Sequence, residues 1–439
     1  MTPAEAIGRL FGLARFEQAG MRPGLERIEA VLDALGHPEA RLPVIHVGGT
    51  NGKGSVSALT EAILRAAGVR TGLYTSPHLL DITERIRIAG SPIARDDFGR
   101  LAARLAPWLE AGSVTFFEAV TAVALLAFRE ARVEAAVLEV GLGGRLDATN
   151  VGLPGVAVIT RIDYDHQQFL GRHLSDIAAE KAAIIRGGIA LSAAQAPEAM
   201  DVIRARCQAV GVPLLVEGKD LRVEVVGSDL RGHRVHFAWT GPEPAGELRD
   251  VDVALPGLYQ PANAVLAVGA ARAFAATTGL AVPDAAVRAG CASVRWPGRF
   301  QVIPGGAGRP LIVLDGAHNP GGAQALATSL HHYFPDARLT LVLGISADKD
   351  RAGILKALAP VATRLCLTRA SNPRAATPAD LAGELPPFDG SVATVADVGA
   401  ALGAALAERG TDVVCVAGSL FLVADALRWL GEVGVVARP

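Results

Sequence analysis

The sequence predicts an α/β protein of two domains, each built on a sheet of mainly parallel strands. Short apolar runs alternate with helical patterns over most of the 439 residues, which is typical of strand–helix units with right-handed crossovers. The chain is too long for one ordinary hydrophobic core, and half of its residues are apolar. Because the alternation restarts after RWPGRF, residues 295–300, we predict domains at residues 1–295 and 296–439.

The N-terminal domain is predicted to combine a buried parallel sheet with a small antiparallel segment. Its predicted parallel strands are apolar runs that suit burial on both faces: RLPVIHVGG (41–49), AAVLEV (135–140) and VAVITRI (156–162). A helix is predicted in SVSALTEAILRAAG, residues 55–68, directly after the first strand. Residues 221–255 instead show short alternating strands separated by Gly, Asp and Pro, which predicts the antiparallel segment.

The C-terminal domain is predicted to be Rossmann-like, with roughly 140 residues. Its predicted strands each lead into a turn: PLIVLDGAHN, LTLVLGIS, TRLCLTR, SVATV and DVVCVAG. Asp315 and His318 follow the first of these strands, where open α/β sheets bind ligands. An ordinary strand–helix turn, with Asn319 as the N-cap and Pro320 at the first helical position, explains the same residues.

Composition excludes several classes of protein. A net charge of −2 with 20% charged residues fits neither a nucleic-acid surface nor a disordered chain. Cys207, Cys291, Cys366 and Cys415 form no CxxC pair, so we expect no zinc or disulfide framework and a reducing, cytoplasmic location. The longest uncharged stretch, residues 253–271, contains two prolines and is a poor membrane span. No coiled-coil pattern stands out, and we expect a monomer.

A phosphate-binding loop is predicted at GGTNGKGS, residues 48–55, between a strand and a helix. Glycines let the backbone approach phosphates, helix N–H groups point at the anion, and Lys53 would lie on the outer phosphates. The pattern departs from G-x4-GK-[ST], because Val47 replaces the first glycine and Gly54 follows Lys53. Ser55 would supply the Mg²⁺-binding hydroxyl one position later. The alternative is an ordinary glycine-rich turn.

The nucleotide is predicted to be ATP rather than GTP. A GTPase would carry an NKxD motif for guanine. None of the five lysines of the chain follows an asparagine, so that motif is absent from the sequence.

Three residues at strand or turn ends are candidate ligands for a hard cation. Glu139 ends a predicted buried strand, where a carboxylate needs a partner or a metal, and a salt bridge to Arg145 is the alternative. His166 follows another predicted strand in DYDH, and Ser76 follows TGLYT in YTSPHL. Taken singly, these two are more simply a hydrogen-bonded surface histidine and a turn residue.

Lys181 lies in a predicted helix, SDIAAEKAAII, with Ser175 as its N-cap. Ile177, Lys181, Ile184 and Ile185 share one face by helical spacing. A lysine on an apolar face must be paired, neutral or modified to avoid a large desolvation cost. The alternative is a lysine at the edge of the face whose ammonium group reaches solvent.

Taken together, these segments resemble the dihydrofolate synthase/folylpolyglutamate synthase family, a branch of the Mur ligase superfamily. The resemblance spans residues 24 to about 427, nearly the whole chain. The matching segments, in order, are GLERI, HVGGTNGKGS, YTSPHL with ERIRIAG, TFFEAVTAVA, EVGLGGRLDATN, ITRIDYDHQQFLG, IAAEKAAII, LPGLYQPANA, WPGRFQVI, LDGAHNPGGA, SADKD, SNPRAA and GSLFLVADAL. The resemblance implies an N-terminal P-loop ATPase domain and a C-terminal Rossmann-like domain in the Mur ligase architecture.

The resemblance implies an ATP-dependent ligase of folate biosynthesis and one-carbon metabolism. Family members phosphorylate a substrate carboxylate with ATP, and the amino group of L-glutamate attacks the acyl phosphate to give an amide. The acceptors would be 7,8-dihydropteroate and reduced folate, with both activities in one chain.

The alternatives are folylpolyglutamate synthase activity alone, another Mur-type ligase, or a non-catalytic nucleotide-binding module. About 47 residues precede the loop, too few for the UDP-sugar domain of a peptidoglycan ligase.

The resemblance also implies roles for individual residues. ATP would contact Thr50, Asn51, Gly52, Lys53, Gly54, Ser55, Asn263, Arg299, Asp315 and His318. Two Mg²⁺ ions would be held by Ser55, Ser76, Glu139 and His166, and by Lys181 carried as N6-carboxylysine. The catalytic residues would be Lys53, His166, Lys181 and His318. A monovalent cation is also expected.

The pterin-binding regions of the family map onto residues 22–24, 115–118 and 146–148. The chain departs from the family pattern at Tyr259, where histidine is common, at His173, where threonine is usual, and at Ala183, where glycine is common. Candidate ATP groups lie on both sides of residue 295, so we expect ATP to draw the second domain in.

Overall fold

The computed structural model describes residues 1–17, 22–241, 245–306 and 308–437. Its first part is built on eight strands: β1 (Val44–Gly48), β2 (Thr71–Tyr74), β3 (Ile86–Ile88), β4 (Ser91–Pro92), β5 (Ala135–Glu139), β6 (Val156–Ile159), β7 (Ile189–Ser192) and β8 (Leu214–Val216). They form one sheet in the order β4-β3-β2-β5-β1-β6-β7-β8. Strands β2, β5, β1, β6, β7 and β8 run parallel, and β3 and β4 extend one edge antiparallel.

Helices pack on both faces of this sheet, as expected for strands that are apolar on both sides. They are α1 (Pro3–Glu17), α2 (Glu26–Ala34), α3 (Lys53–Ala66), α4 (Arg95–Ala103), α5 (Ala106–Ala111), α6 (Phe116–Glu130), α7 (Gln167–Leu170), α8 (Leu174–Ala182), α9 (Pro197–Val210), α10 (Gln260–Thr278) and α11 (Asp284–Ser293), with a short 3₁₀ turn at Ile82–Arg85. Helices α1, α2, α4 and α6 share one core, and α3, α10 and α11 share the core of the opposite face.

The predicted antiparallel segment is confirmed as a separate three-stranded sheet. Its strands are β9 (Leu221–Asp229), β10 (Gly232–Trp239) and β11 (Gly246–Val253), with β10 in the middle. Val235, Phe237 and Val251 are buried in the core that also contains α10. The alternating sequence pattern therefore reflects one covered and one open face.

The second part is an α/β unit, as the sequence predicts. Its strands are β12 (Gln301–Ile303), β13 (Leu311–Leu314), β14 (Leu339–Leu343), β15 (Arg364–Leu367), β16 (Ser391–Thr394) and β17 (Val413–Ala417), in the order β12-β13-β17-β14-β15-β16. Among the described strands of this sheet, only β12, at the edge, runs antiparallel to its neighbour. Its helices are α12 (Pro320–Tyr333), α13 (Arg351–Leu358), α14 (Pro378–Gly383), α15 (Val398–Ala407) and α16 (Leu420–Glu432), with a 3₁₀ turn at Ala359–Val361.

The boundaries of some predicted elements are wrong by a few residues. Strand β6 ends at Ile159, because the carbonyl of Arg161 accepts hydrogen bonds from the phosphate loop, from the N–H groups of Thr50 at 2.9 Å and Asn51 at 3.1 Å. Helix α8 begins at Leu174 with His173 as its N-cap, not with Ser175. The division at residues 295 and 296 stays a prediction. None of the described helices is long and apolar enough to cross a membrane.

The topology brings the ends of several strands to one place. Because β2, β5, β1 and β6 are parallel neighbours, their carboxyl ends share one edge of the sheet. Ser76, Glu139, the phosphate loop and His166 therefore come together there. Asp315 follows β13 at the corresponding edge of the second sheet.

Candidate active site

A cavity of about 600 Å³ lies between the two parts of the molecule. Every residue that the sequence predicts for nucleotide, metal or catalysis lines this cavity: Thr50, Asn51, Gly52, Lys53, Gly54, Ser55, Ser76, Glu139, His166, Lys181, Asn263, Arg299, Asp315 and His318. The structure thus brings together groups that are up to 268 residues apart, as the contact between Asn51 and Asn319 illustrates. Their individual roles stay predictions.

The phosphate loop depends on a glycine at its last turn before α3. Gly52 has φ +96° and is the N-cap of α3, which begins at Lys53. A Cβ atom at Gly52 would lie 2.4 Å from Oδ1 of Asn263, so a side chain there meets both strain and a clash. The first N–H groups of α3 have no partners within the helix and belong to residues that line the cavity.

Two lysines converge on the loop. Nζ of Lys53 donates to the carbonyls of Gly49 and Thr50, both at 3.1 Å, and Nζ of Lys181 donates to Gly49 at 2.9 Å. Burial, with the nearby charge of Lys53, lowers the pKa of Lys181 to about 7. Lys181 is only 4% exposed, so the alternative of an ammonium group that reaches solvent is wrong.

Glu139 is buried and lacks the predicted alternative partner. Arg145 forms its ion pair with Glu180, at 2.8 Å, so the salt bridge to Glu139 is wrong. Oε2 of Glu139 accepts a hydrogen bond from the N–H of Ser76 at 3.0 Å, and Oε1 accepts none from the described residues. Burial raises the pKa of this carboxyl, while the charge of Lys53 opposes that rise.

Among the residues predicted to bind magnesium, Glu139 is the one that carries an unmodified carboxylate. In the described parts of the chain, no group of three or more His, Cys, Asp or Glu side chains is arranged to hold a metal. Ser55 lies nearby, and its hydroxyl accepts a hydrogen bond from Nε2 of Gln260 at 3.3 Å. Mg²⁺ is usually held by one or two carboxylates together with substrate phosphates and water, so this donor set fits the ion.

Sequence reasoning missed an ion-pair cluster that joins the two parts. Nζ of Lys349 lies 2.5 Å from Oδ1 of Asp165 and 3.0 Å from Nε2 of His166. Nε2 of His318 lies 3.5 Å from the other carboxylate oxygen of Asp165. DYDH and SADKD both appear in the family resemblance, but neither string indicates that they meet.

The charges in this cluster determine its protonation. Burial lowers the pKa of His166 to about 4, and the charge of Lys349 adds to the effect while Asp165 opposes it. Burial alone would raise the pKa of Asp165. Its hydrogen bond to His318 and the charges of His166, His318 and Lys349 outweigh burial and hold that pKa far below its usual range. His166 is therefore neutral near pH 7 and its Nε2 accepts from Lys349.

Asp315 is held by groups on both sides of the predicted boundary. Its Oδ2 accepts hydrogen bonds from the hydroxyl of Tyr259 at 2.6 Å and from the N–H of Phe300 at 2.7 Å. Oδ1 accepts from the N–H of Ala317 at 2.8 Å. Burial and the charge of Asp315 raise the pKa of Tyr259 well above its usual value, so the phenol stays a donor. At the position where the family pattern has histidine, Tyr259 thus donates a hydrogen bond to Asp315.

The three predicted pterin regions do not line the large cavity. The side chain of Arg27 connects two of them, donating to Glu118 at 2.7 Å and also to the carbonyl of Arg22. In the third, Oδ1 of Asp147 accepts from the hydroxyl of Thr149 at 2.5 Å. Their pterin-binding role stays a prediction.

Two families of ligase domain match this chain. Residues 47–271 match the Mur ligase middle domain, and residues 298–420 match the Mur ligase glutamate ligase domain. The phosphate loop, the cavity between two α/β parts and these matches define an ATP-dependent ligase of the Mur type.

Comparison with individual proteins identifies the family within the Mur-type ligases. The chain is 37% identical over 431 residues to the probable bifunctional folylpolyglutamate synthase/dihydropteroate synthase of Haloferax volcanii, covering 96% of this chain but only 50% of that relative. It is 34% identical over 370 residues to the dihydrofolate synthase/folylpolyglutamate synthase of Bacillus subtilis, covering 82% and 84% of the two chains. The structure of Escherichia coli FolC in complex with DHPP and ADP superposes with a TM-score of 0.86 at 33% identity, over 99% of each chain. This chain belongs to the dihydrofolate synthase/folylpolyglutamate synthase family.

Proposed function

We propose that this protein joins L-glutamate to the carboxylate of 7,8-dihydropteroate and of reduced folates, using ATP. The observation that carries the proposal is the single cavity that brings the phosphate loop together with the predicted groups of both parts. The name of the Bacillus subtilis relative, dihydrofolate synthase/folylpolyglutamate synthase, agrees with this pair of activities.

The proposed reaction has two steps. A carboxylate oxygen of the acceptor attacks the γ-phosphorus of ATP, and ADP leaves. The amino group of glutamate then attacks the acyl carbon of the acyl phosphate, the amine loses a proton, and inorganic phosphate leaves. Both steps develop negative charge on phosphate and acyl oxygens. Lys53, the first N–H groups of α3 and Arg299 line the cavity, and their positive charge would stabilise this negative charge.

We assign two magnesium sites to this cavity. Ser55 and Glu139 would hold one ion beside the nucleotide phosphates, and Ser76, Glu139 and His166 would hold the other beside the acceptor carboxylate. A bound magnesium ion neutralises charge on the phosphate oxygens. His166 would have to exchange its contact with Lys349 for the ion.

Lys181 is proposed to be N6-carboxylated. A buried amine with a pKa of about 7 is neutral in a large fraction of molecules at physiological pH, and a neutral amine is the form that reacts with CO₂. The resulting carbamate would convert a lysine between Gly49 and Lys53 into an anion, which is a suitable ligand for magnesium.

Other partners stay predictions. We expect a cytoplasmic monomer that requires ATP and magnesium and that binds neither nucleic acid nor a membrane. The monovalent cation suggested by the family resemblance is also part of this expectation.

The first experiment is ATP-dependent phosphate release with glutamate and, in separate reactions, dihydropteroate or a reduced folate. Release that requires glutamate in both reactions is the expected result. Release with the folate alone would restrict the activity to a folylpolyglutamate synthase. ATP binding without acceptor-dependent release in either reaction would favour a non-catalytic module or another acceptor.

A further inference from the structure

A smaller cavity of about 170 Å³ adjoins the large one. The two share lining residues at the place where the acceptor carboxylate is expected to react: Gly54, Ser76, Glu139, Arg299 and Leu420. Nothing in the reaction described above uses this smaller space. A substrate whose reacting carboxylate lies between Ser76 and Glu139 can extend into it.

Arg87 is the cation that distinguishes the smaller cavity. It projects from β3, and its guanidinium carbon lies 5.7 Å from the ring centroid of Trp296, which also lines the cavity. Its Nε is buried and has no hydrogen-bond partner. Neither Arg87 nor Arg299 forms an ion pair with any described residue. An orphaned buried donor is costly, so its retention points to an anionic ligand.

Of the two carboxylates that line this cavity, Glu84 and Glu139, Glu84 forms no ion pair with a described residue. Glu84 accepts backbone hydrogen bonds from Leu79 at 2.8 Å and from Leu80 and Asp81 at 2.9 Å, which satisfy its two oxygens. Much of the remaining wall is apolar, with Leu79, Leu80, Trp296, Leu420 and Leu427, and its polar part includes Thr75, Ser76 and Glu139. A cavity with two guanidinium groups and an apolar wall suits a carboxylate on a short aliphatic chain.

We propose that the smaller cavity binds the second, non-reacting carboxylate of an acceptor that ends in glutamate, and that Arg87 is its specificity-determining residue. This inference rests on the proposed function. Dihydropteroate ends in a single aryl carboxylate, so it has no group for this site. A folate acceptor ends in glutamate, whose two carboxylates are joined by a short aliphatic chain. The subsite therefore serves the folate reaction and not the dihydropteroate reaction.

The test compares the two reactions in the same enzyme preparations. Arg87→Met keeps an unbranched flexible side chain and removes the charge, and Arg87→Lys keeps the charge. We expect the ratio of folate-dependent to dihydropteroate-dependent kcat/KM to fall about ten- to a hundredfold in Arg87→Met, as loss of a charge-assisted contact would give. Arg87→Lys should restore part of the ratio. Arg234→Met, at an exposed position on the distant sheet of β10, is the matched control.

A second arm uses a folate acceptor whose non-reacting carboxylate is converted to a carboxamide. The wild-type enzyme should discriminate against this analogue by a similar factor, and Arg87→Met should lose that discrimination. An equal loss in both reactions, or a raised KM for glutamate in both, would overturn the assignment because the site would then bind the incoming amino acid. An unchanged ratio would overturn it too. Absence of acceptor-dependent phosphate release in the wild type would instead count against the proposed function itself.

Discussion

At the scale of single residues, His46 makes stability sensitive to acid. It lies in β1, it is 2% exposed, and its Nε2 is 2.8 Å from the hydroxyl of Thr149. Burial lowers its pKa to about 3 from an ordinary value of 6.5. Between about pH 3 and pH 6.5, this histidine is therefore protonated in the unfolded chain and neutral in the folded chain. The stability that this neutral histidine provides is complete above pH 6.5 and is lost as pH falls toward 3.

The variant His46→Gln should remove this dependence, because glutamine does not titrate. We expect the difference in unfolding free energy between pH 7 and pH 5 to be smaller in the variant by about 2 kcal/mol. Urea unfolding at the two pH values, with both proteins at the same ionic strength, measures it. The same pH dependence in both proteins would contradict a neutral buried histidine.

Lys181 gives a second prediction at this scale. If the side chain is carboxylated, wild-type activity should fall when CO₂ and bicarbonate are removed and return when they are restored. Lys181→Ala should lose activity by about a hundredfold, the size expected for loss of a transition-state contact, and bicarbonate should not restore it. Kinetics in degassed and bicarbonate-containing buffer test this, with the exposed Lys356→Ala as control. Full activity of Lys181→Ala without bicarbonate would exclude the modification.

At the scale of elements, two glycines at the ends of helix α3 allow the effect of backbone strain to be distinguished from the effect of a local contact. Gly52 and Gly68 both have positive φ, at +96° and +84°. A Cβ at Gly52 would meet Asn263, whereas a Cβ at Gly68 would meet nothing within 4 Å. Alanine at either position should cost about 1–2 kcal/mol of stability through left-handed strain. Only Gly52→Ala should also weaken nucleotide binding, by displacing Asn263 or the loop.

Calorimetric titration with a non-hydrolysable ATP analogue, together with urea unfolding, measures both quantities. Gly68→Ala is the matched control for strain. Equal affinity for the analogue in the two variants would show that the contact between Gly52 and Asn263 does not position the nucleotide.

The course of the main elements could be predicted because buried parallel strands leave a simple pattern of apolar runs, and β1, β5 and β13 follow it. Where the ends of elements were predicted wrongly, local hydrogen bonds determine the actual ends. The predicted strand at residues 156–162 extends beyond the end of β6, because the carbonyl of Arg161 accepts from the N–H groups of Thr50 and Asn51 in the phosphate loop. The start of α8 was missed because a histidine, His173, forms the capping box instead of Ser175.

Residues of the candidate site could be predicted where a single sequence motif indicates their role, as at Lys53 and Glu139. Residues could not be predicted where the role depends on contact between two segments that are far apart in the sequence. Lys349 follows β14, a long way along the chain from Asp165, and only the packing of the two parts brings their charges together. Arg87 was missed for a related reason, since a basic residue in a short strand has no signal until the neighbouring cavity is known.

At the scale of the whole molecule, the contacts between the parts across the cavity include an amide pair and an ion pair. Asn51 and Asn319 exchange side-chain hydrogen bonds at 3.0 and 3.1 Å. Lys349 pairs with Asp165, and both side chains are about nine-tenths buried, at 10% and 9% exposure. Removing one partner of a buried ion pair leaves the other charge uncompensated, typically at a cost of about 3–5 kcal/mol. Loss of Lys349 is therefore expected to disfavour the arrangement in which the two parts meet at Asp165.

Lys349→Met should consequently shift the unliganded protein toward a more open arrangement. The ligand must then supply the closure, so the KM for ATP should rise and kcat/KM should fall by about tenfold or more. Small-angle scattering without ligand should give a larger radius of gyration for the variant than for the wild type. Saturation with an ATP analogue and an acceptor should bring the two radii together.

Lys356→Met, which removes an exposed lysine from α13 of the same part, controls for the loss of one positive charge. If Lys349→Met scatters like the wild type and also keeps its KM for ATP, the Lys349–Asp165 pair does not hold the parts closed, and closure must depend on the ligands alone.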